Sequence, residues 1–185
     1  AGRSGKTHEQ LRFPMSIAWE YKPSQGPAPA WPYERATRDD YDFDPIVDDG
    51  RIYFGSSADD SIRAMDLSTG RLLWRFTTGG PVRFAPCFEN ERLYAVADDG
   101  VLLFPPLRLR GDQLVRNGRM ISRWPCRSGL VIDGGVLFTA AGMWPSEGVF
   151  IYAIDLQSRE LLWCNDTSHC VAMSRPWWQG GFTWK

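Results

Sequence analysis

The sequence predicts an all-β protein assembled from repeated four-stranded antiparallel units. Three observations lead there: a composition suited to strands and turns, a hairpin pattern that recurs, and a longer turn signature at about twice the hairpin's period. The chain of 185 residues carries 18 Gly and 13 Pro together with 9 Trp, 6 Tyr and 10 Phe. Gly and Pro punctuate short strands, and aromatic side chains fill the pleated surface between them. Charge is balanced, with 21 Lys and Arg against 22 Asp and Glu for a net of −1. Nucleic acid is therefore not an expected partner, since binding it needs a basic face. The 43% hydrophobic and 23% charged residues argue against a disordered chain. No apolar run approaches the roughly 20 residues that span a bilayer, so no membrane span is expected.

The hairpins come first. Pro45-Ile-Val-Asp-Asp-Gly-Arg-Ile-Tyr53 lies over Pro86-Cys-Phe-Glu-Asn-Glu-Arg-Leu-Tyr94 at an offset of 41, and a third copy begins at Gly129, 43 further on. Each is a short apolar run, a polar turn and a second apolar run. Asp49-Gly50 and Asp133-Gly134 supply the positive φ that such turns need. The second signature follows: Ala64-Met-Asp66-Leu-Ser-Thr69-Gly70-Arg-Leu-Leu-Trp74 recurs as Ala153-Ile-Asp155-Leu-Gln-Ser158-Arg-Glu-Leu-Leu-Trp163, with the two Trp 89 residues apart. The Asp carboxylate can accept from turn N–H groups, Thr69 or Ser158 adds a hydroxyl, and Gly70 takes a left-handed position. Arg159 stands where Gly is expected, so that turn must be strained or built differently.

Two hairpins in about 42 residues make a blade, and blades repeated radially make a β-propeller. The expected order is a disordered arm over 1–15, the last strand of a preceding blade over 16–21, and a Pro-rich insertion loop over 22–42. Blades follow over 43–76, 82–120 and 127–165, and 166–185 is the start of a next blade or a disordered tail. The middle blade is degenerate, because Pro105-Pro106 follow Phe104 where the turn signature should come, and consecutive prolines cannot donate to a ladder. Three blades are fewer than the four to eight of a closed ring. A fragment of a longer protein is expected, whose remaining blades, in the parent chain or another protein, are its first partners.

The Ala-x-Asp-x-x-Thr-Gly-x-x-x-Trp signature after a hairpin resembles the pyrroloquinoline-quinone-type (PQQ-like) propeller repeat over about residues 43–165. The resemblance implies a quinoprotein alcohol dehydrogenase-like architecture in a bacterial protein, and two kinds of function. Some members are dehydrogenases of alcohols or sugars that hold PQQ and Ca2+ at the propeller axis. Others are scaffolds without the quinone, such as the propeller lipoprotein of the outer-membrane barrel assembly machinery. Many quinone-binding members stack the cofactor on adjacent cysteines, and Cys87, Cys126, Cys164 and Cys170 are all separated. The expectation is a non-catalytic binding or scaffold domain that holds no cofactor in this segment. PQQ and Ca2+ enter only as the alternative, in a full-length dehydrogenase. A periplasmic or envelope location is expected, although no signal peptide is visible in the segment.

Candidate ligand contacts sit just before each innermost strand, where propeller side chains rim the channel: Asp42, Asp44, Arg83 and Arg127, with Arg123 and Trp124 upstream. Arg, Asp and aromatic groups together could grip a carbohydrate or an anion by bidentate hydrogen bonds and stacking; inter-blade salt bridges are the favoured alternative. Trp144 interrupts the third blade in a loop and is a further candidate. Asp42, Asp44 and Glu147 are the carboxylates that a glycosidase reading would need to pair. Asp66, Thr69, Gly70, Trp74, Asp155, Ser158 and Trp163 are read as structural. Cys164 and Cys170 could pair in an oxidising compartment, with free, part-buried thiols the favoured reading. Their spacing with His169 supplies too few ligands for structural zinc, and Gly5-Lys6-Thr7 lacks the strand and first Gly of a phosphate loop.

Overall fold

Side chains alternate along a strand, so each strand of a blade serves two neighbours at once. The computed structural model describes residues 10, 13–27, 43–103, 107–109, 112–116, 118–142 and 148–166. Blade I is the sheet β1 (Ile46–Asp48), β2 (Arg51–Ser56), β3 (Ser61–Asp66) and β4 (Leu72–Thr77). Blade II is β5 (Cys87–Glu89), β6 (Arg92–Val96), β7 (Val101–Leu103) and β8 (Leu107–Arg108). A hairpin, β9 (Gln113–Arg116) and β10 (Arg119–Ser122), follows as a two-stranded sheet of its own. Blade III is β11 (Val131–Asp133), β12 (Val136–Ala141), β13 (Phe150–Asp155) and β14 (Leu161–Asn165). Each blade pairs its strands antiparallel in sequence order, the arrangement of a propeller.

β6 displays the alternation. Leu93 and Ala95 face blade I and pack with Tyr53, Ile62, Ala64 and Val82, while Tyr94 and Val96 face blade III and pack with Leu130, Leu137, Tyr152 and Ile154. Fully burying side chains of this size contributes about 1.5–3 kcal/mol each, so the two inter-blade layers hold the blades together. The outer strand β4 is exposed along its whole length. Gly55 sits where the link from blade I to blade II crosses β2: a Cβ there would lie 2.3 Å from Val82 Cγ1.

Three features depart from the sequence expectation. The segment 16–21, read as a strand of a preceding blade, forms no strand. It crosses blade I as irregular chain, with Trp19 Nε1 donating to Leu67 O at 2.8 Å and Tyr21 packed on Phe54 and Phe43 at centroid distances of 5.4 and 6.3 Å. The side chains land where a neighbouring blade would put them, but no backbone ladder forms. Second, blade II keeps an outer strand of two residues, Leu107–Arg108, which follow the two prolines in the sequence. Third, the unit expected over 82–120 ends as a blade at β8, and 113–116 with 119–122 form an inserted hairpin, Gly118 at its turn having a φ of +73°. Most of the arm over 1–15 and of the loop over 22–42, and the tail beyond Asp166, lie outside the described residues, as do Asp42, Trp144, Glu147 and Cys170.

The signature turns form around their Asp residues. Asp66 Oδ1 accepts from Ser68 Oγ at 2.6 Å, Thr69 Oγ1 at 2.7 Å, Thr69 N at 2.8 Å and Ser68 N at 3.1 Å, which holds its carboxyl down at about 2. Asp155 Oδ1 accepts from Gln157 N at 2.9 Å and Ser158 N at 2.6 Å, and its carboxyl is likewise lowered, by Ser158 first. Gly70 has a φ of +68°, and the Trp19 ring lies so close that a Cβ would meet it at 2.6 Å. Arg159 occupies the equivalent position at a φ of +65°. There the preceding blade offers Leu107 instead of a Trp, and Leu107 and Arg159 both line a small cavity of about 10 Å3. Loss of the Trp from blade II has left room for a Cβ on the blade III turn, although the backbone strain remains.

Arg159→Gly is therefore expected to stabilise the chain by about 0.5–1 kcal/mol by relieving the left-handed strain. Gly70→Ala, with the same φ and the Trp19 ring above it, is expected to cost about 1–2 kcal/mol. Urea unfolding of both variants against the parent checks the two opposite signs.

Candidate functional site: the charged rim

The links between blades and the turns between the second and third strands of each blade bring opposite charges together. Asp98, in the β6–β7 turn, is the centre. Its Oδ2 accepts from Arg83 Nε at 2.7 Å and from Arg127 Nη2 at 3.3 Å, with the three side chains 2%, 5% and 12% exposed. Arg83 comes from the link between blades I and II, and Arg127 from the segment before blade III. One buried carboxylate thus ties three blades. The backbone reinforces it: Asp98 N donates to Pro81 O at 2.8 Å, and Ser122 N donates to Asp98 O at 2.8 Å. Asp98 Oδ1 is buried without a hydrogen-bond partner.

Around this clamp lie three further acids. Asp59 accepts from Arg63, from Arg75 at 3.1 Å and from Ser61 Oγ at 2.8 Å. Burial pushes its carboxyl up, but hydrogen bonds from Arg63, Ser56 and Ser61 outweigh it and hold the group at about 2. Asp60 pairs with Arg119 of β10, which also donates to Ser57 O at 2.9 Å. Burial nevertheless raises Asp60, with the Asp98 charge adding to it. Asp99 is raised by burial, against a hydrogen bond from Val101 N at 3.1 Å. The β9–β10 hairpin therefore reaches over blade II to brace blade I. Beneath, burial and the charges of Asp98 and Asp99 push the Cys126 thiol far up, so it stays protonated.

The other rim candidates separate. Asp44 Oδ2 accepts from Ala85 N at 3.2 Å, an inter-blade bond. Arg123 lies over the Trp124 ring at 5.8 Å, and Trp124 meets Phe150 edge-on at 5.7 Å, so this pair belongs to the junction of blades II and III. The three innermost strands line a cleft of about 230 Å3, apolar at Ile46, Phe88 and Val131 and acidic at Asp48 and Glu89. Sequence reasoning missed Asp98, Asp60 and Arg119. The available signal was Ala58-Asp59-Asp60 spelled again as Ala97-Asp98-Asp99.

Comparison with known proteins agrees with a propeller fold. Residues 18–105 match the family described as "Outer membrane protein assembly factor BamB". Over those residues the chain resembles the PQQ-like propeller repeat. Among solved structures, the computationally designed Ika8 protein aligns at 20% identity with a TM-score of 0.50, covering 72% of this chain and 39% of its own. Quinohemoprotein alcohol dehydrogenase from Comamonas testosteroni aligns at 19% and 0.50, covering 65% and 20%. BamB from Moraxella catarrhalis aligns at 14% and 0.44, covering 65% and 35%. The chain thus spans well under half of each of these proteins, and the likeness to the first two is one of fold. No curated protein matches it.

A Ca2+-bound quinone needs several oxygen ligands around the axis. Among the described residues no three His, Cys, Asp or Glu gather to hold a metal ion, and the acid best placed at the rim is already held by two guanidinium groups. No helix among the described residues is long and apolar enough to cross a membrane.

Asp98→Asn is expected to cost about 3–5 kcal/mol, because it leaves two buried guanidinium groups facing one another without their counter-charge. Arg127→Met, which removes the longer bond, is expected to cost less than Arg83→Met; urea unfolding of the three variants gives the order. Acid titration of stability separates the other carboxylates. Asp59 stabilises above its unfolded value of about 3.9, and that contribution is lost as pH falls toward 2, so the deficit of Asp59→Asn should vanish across this window. Asp99 has the opposite sign: its charge costs stability above its raised folded pKa. Asp99→Asn should therefore gain on the parent at pH 7 and lose that gain by about pH 4.

Proposed function

We propose that this PQQ-like chain is a non-catalytic binding or scaffold segment of a bacterial, exported protein of the periplasm or cell envelope. Its partners are other proteins and the remaining blades of its parent. The Arg83–Asp98–Arg127 clamp carries this reading: the rim side chains best suited to grip a ligand are buried against one another and spent on holding blades in register. An anionic or carbohydrate ligand at this point would have to displace Asp98 and leave its charge buried. The family description as an outer-membrane assembly factor supports both a protein-binding role and an envelope setting. Recognition then falls to the outward surfaces, among them the β9–β10 hairpin, where Val115 and Met120 pair across the strands and are 70% and 48% exposed.

The second reading is a partial propeller of a PQQ-dependent quinoprotein dehydrogenase oxidising alcohols or sugars. The fold likeness to quinohemoprotein alcohol dehydrogenase favours it, with most active-site residues then lying outside this segment. Titration of PQQ into the full-length parent with and without Ca2+, followed by quinone absorbance, decides between them. No saturable Ca2+-dependent uptake is expected; saturable uptake accompanied by alcohol or sugar oxidation would overturn the scaffold reading.

A further inference from the structure

The three innermost strands end alike. Asp48, Glu89 and Asp133 are the last residues of β1, β5 and β11. Each directly precedes a turn of two residues with positive φ. They lie at the end of the inner strands away from the clamp, whose Arg83 and Arg127 precede β5 and β11. Asp66 and Asp155 accept from their turn N–H groups, whereas among the described residues these three carboxylates take no hydrogen bond and join no ion pair. Arg51 and Arg92 stand opposite Asp48 and Glu89 across the hairpins without closing a salt bridge to them.

Two of these acids, Asp48 and Glu89, line the cleft between the inner strands together with Ile46, Val47, Phe88 and Val131. The cleft is fixed in shape where Cys87 Sγ donates to Leu130 O at 3.0 Å, across the gap between blades II and III. Its apolar wall is only partly used by the inter-blade layers, for Val47 and Val131 are 56% and 57% exposed. At about 230 Å3 it is smaller than the roughly 300–1,000 Å3 of a small-molecule pocket, but it has room for one large apolar side chain. The charge of its lining selects what can enter. An anion is repelled by Asp48 and Glu89, and a neutral apolar group would cover two half-buried carboxylates without pairing them, which costs free energy. An apolar group flanked by cations satisfies the wall and the acids together.

We infer that this cleft takes an extended segment of a partner protein, seating one large apolar side chain against Ile46, Phe88 and Val131 and setting Lys or Arg against Asp48 and Glu89. The inference rests on the scaffold reading in one respect, that the occupant is a protein. Fluorescence anisotropy of a dye-labelled Lys-Phe-Lys-Leu-Lys peptide titrated with the full chain tests it. The expected result is saturable binding, about tenfold weaker for the double variant Asp48→Asn, Glu89→Gln and also weaker for Val131→Ser. A peptide with Glu in place of each Lys should not bind. Binding to the parent chain should also weaken as salt rises from about 0.05 to 0.5 M, a readout that stands if the double variant fails to fold. Absence of saturable binding below about 1 mM, equal binding of the Glu peptide, affinity untouched by the double variant, or affinity insensitive to salt would each overturn the inference. Ca2+-dependent quinone uptake by the parent would instead remove the scaffold reading and leave the peptide titration to stand on its own.

Discussion

A four-stranded blade has two apolar faces and nothing of its own to cover either, so each blade is stable only as far as its neighbours cover it. Hydrogen bonding within a sheet sets the order of its strands and leaves the position of the next sheet open. That position comes from the alternation in β6, whose Leu93 and Ala95 serve one neighbour and Tyr94 and Val96 the other. Blade II has the weakest ladder of the three, with an outer strand of only two residues. It tolerates this because its inner strands carry both inter-blade layers, and the outer strand contributes little to either.

The same dependence explains why two sequence irregularities belong together. The Trp of one unit and the Gly of the next unit's turn are a single contact, seen where Trp19 lies on Gly70. Blade II has no such Trp, so the turn it faces in blade III no longer needs a glycine, and Arg159 stands there with a positive φ. The loss of a contact on one blade relaxes the constraint on its neighbour. Trp74, facing a blade whose signature turn is missing, is 39% exposed and rests against Tyr53 of its own sheet.

Local chemistry was readable from the sequence and remote chemistry was not. The hairpins and the Asp66 and Asp155 turns depend on residues within a few positions of each other, so their spacing discloses them. Asp98 reads as one more turn acid, because its partners Arg83 and Arg127 lie 15 and 29 residues away on links with no periodicity. Arg119 reaches Asp60 across 59 residues from the β9–β10 hairpin, although the dipeptide Asn117-Gly118 is a strong turn signal in the sequence. Aromatic residues at 16–21 suggested a strand, whereas Trp19 and Tyr21 reach their places by side-chain contact alone.

The clamp also bears on where recognition can occur. To use Arg83 and Arg127, an anion must take the place of Asp98, and the displaced carboxylate would remain 2% exposed with its Oδ1 already lacking a partner. Leaving such a charge unpaired costs several kcal/mol, which a ligand would have to supply before gaining any affinity. A cation meets the two guanidinium groups. Either sign of ligand therefore works against the packing of three blades at once. Surfaces that no inter-blade layer requires are free of that penalty, and the β9–β10 hairpin is one: its turn end braces Asp60 through Arg119 and its base holds Asp98 O through Ser122 N, while Val115 and Met120 are exposed. An insertion held at both ends and apolar on its open side can take on a partner without disturbing the blade register below it.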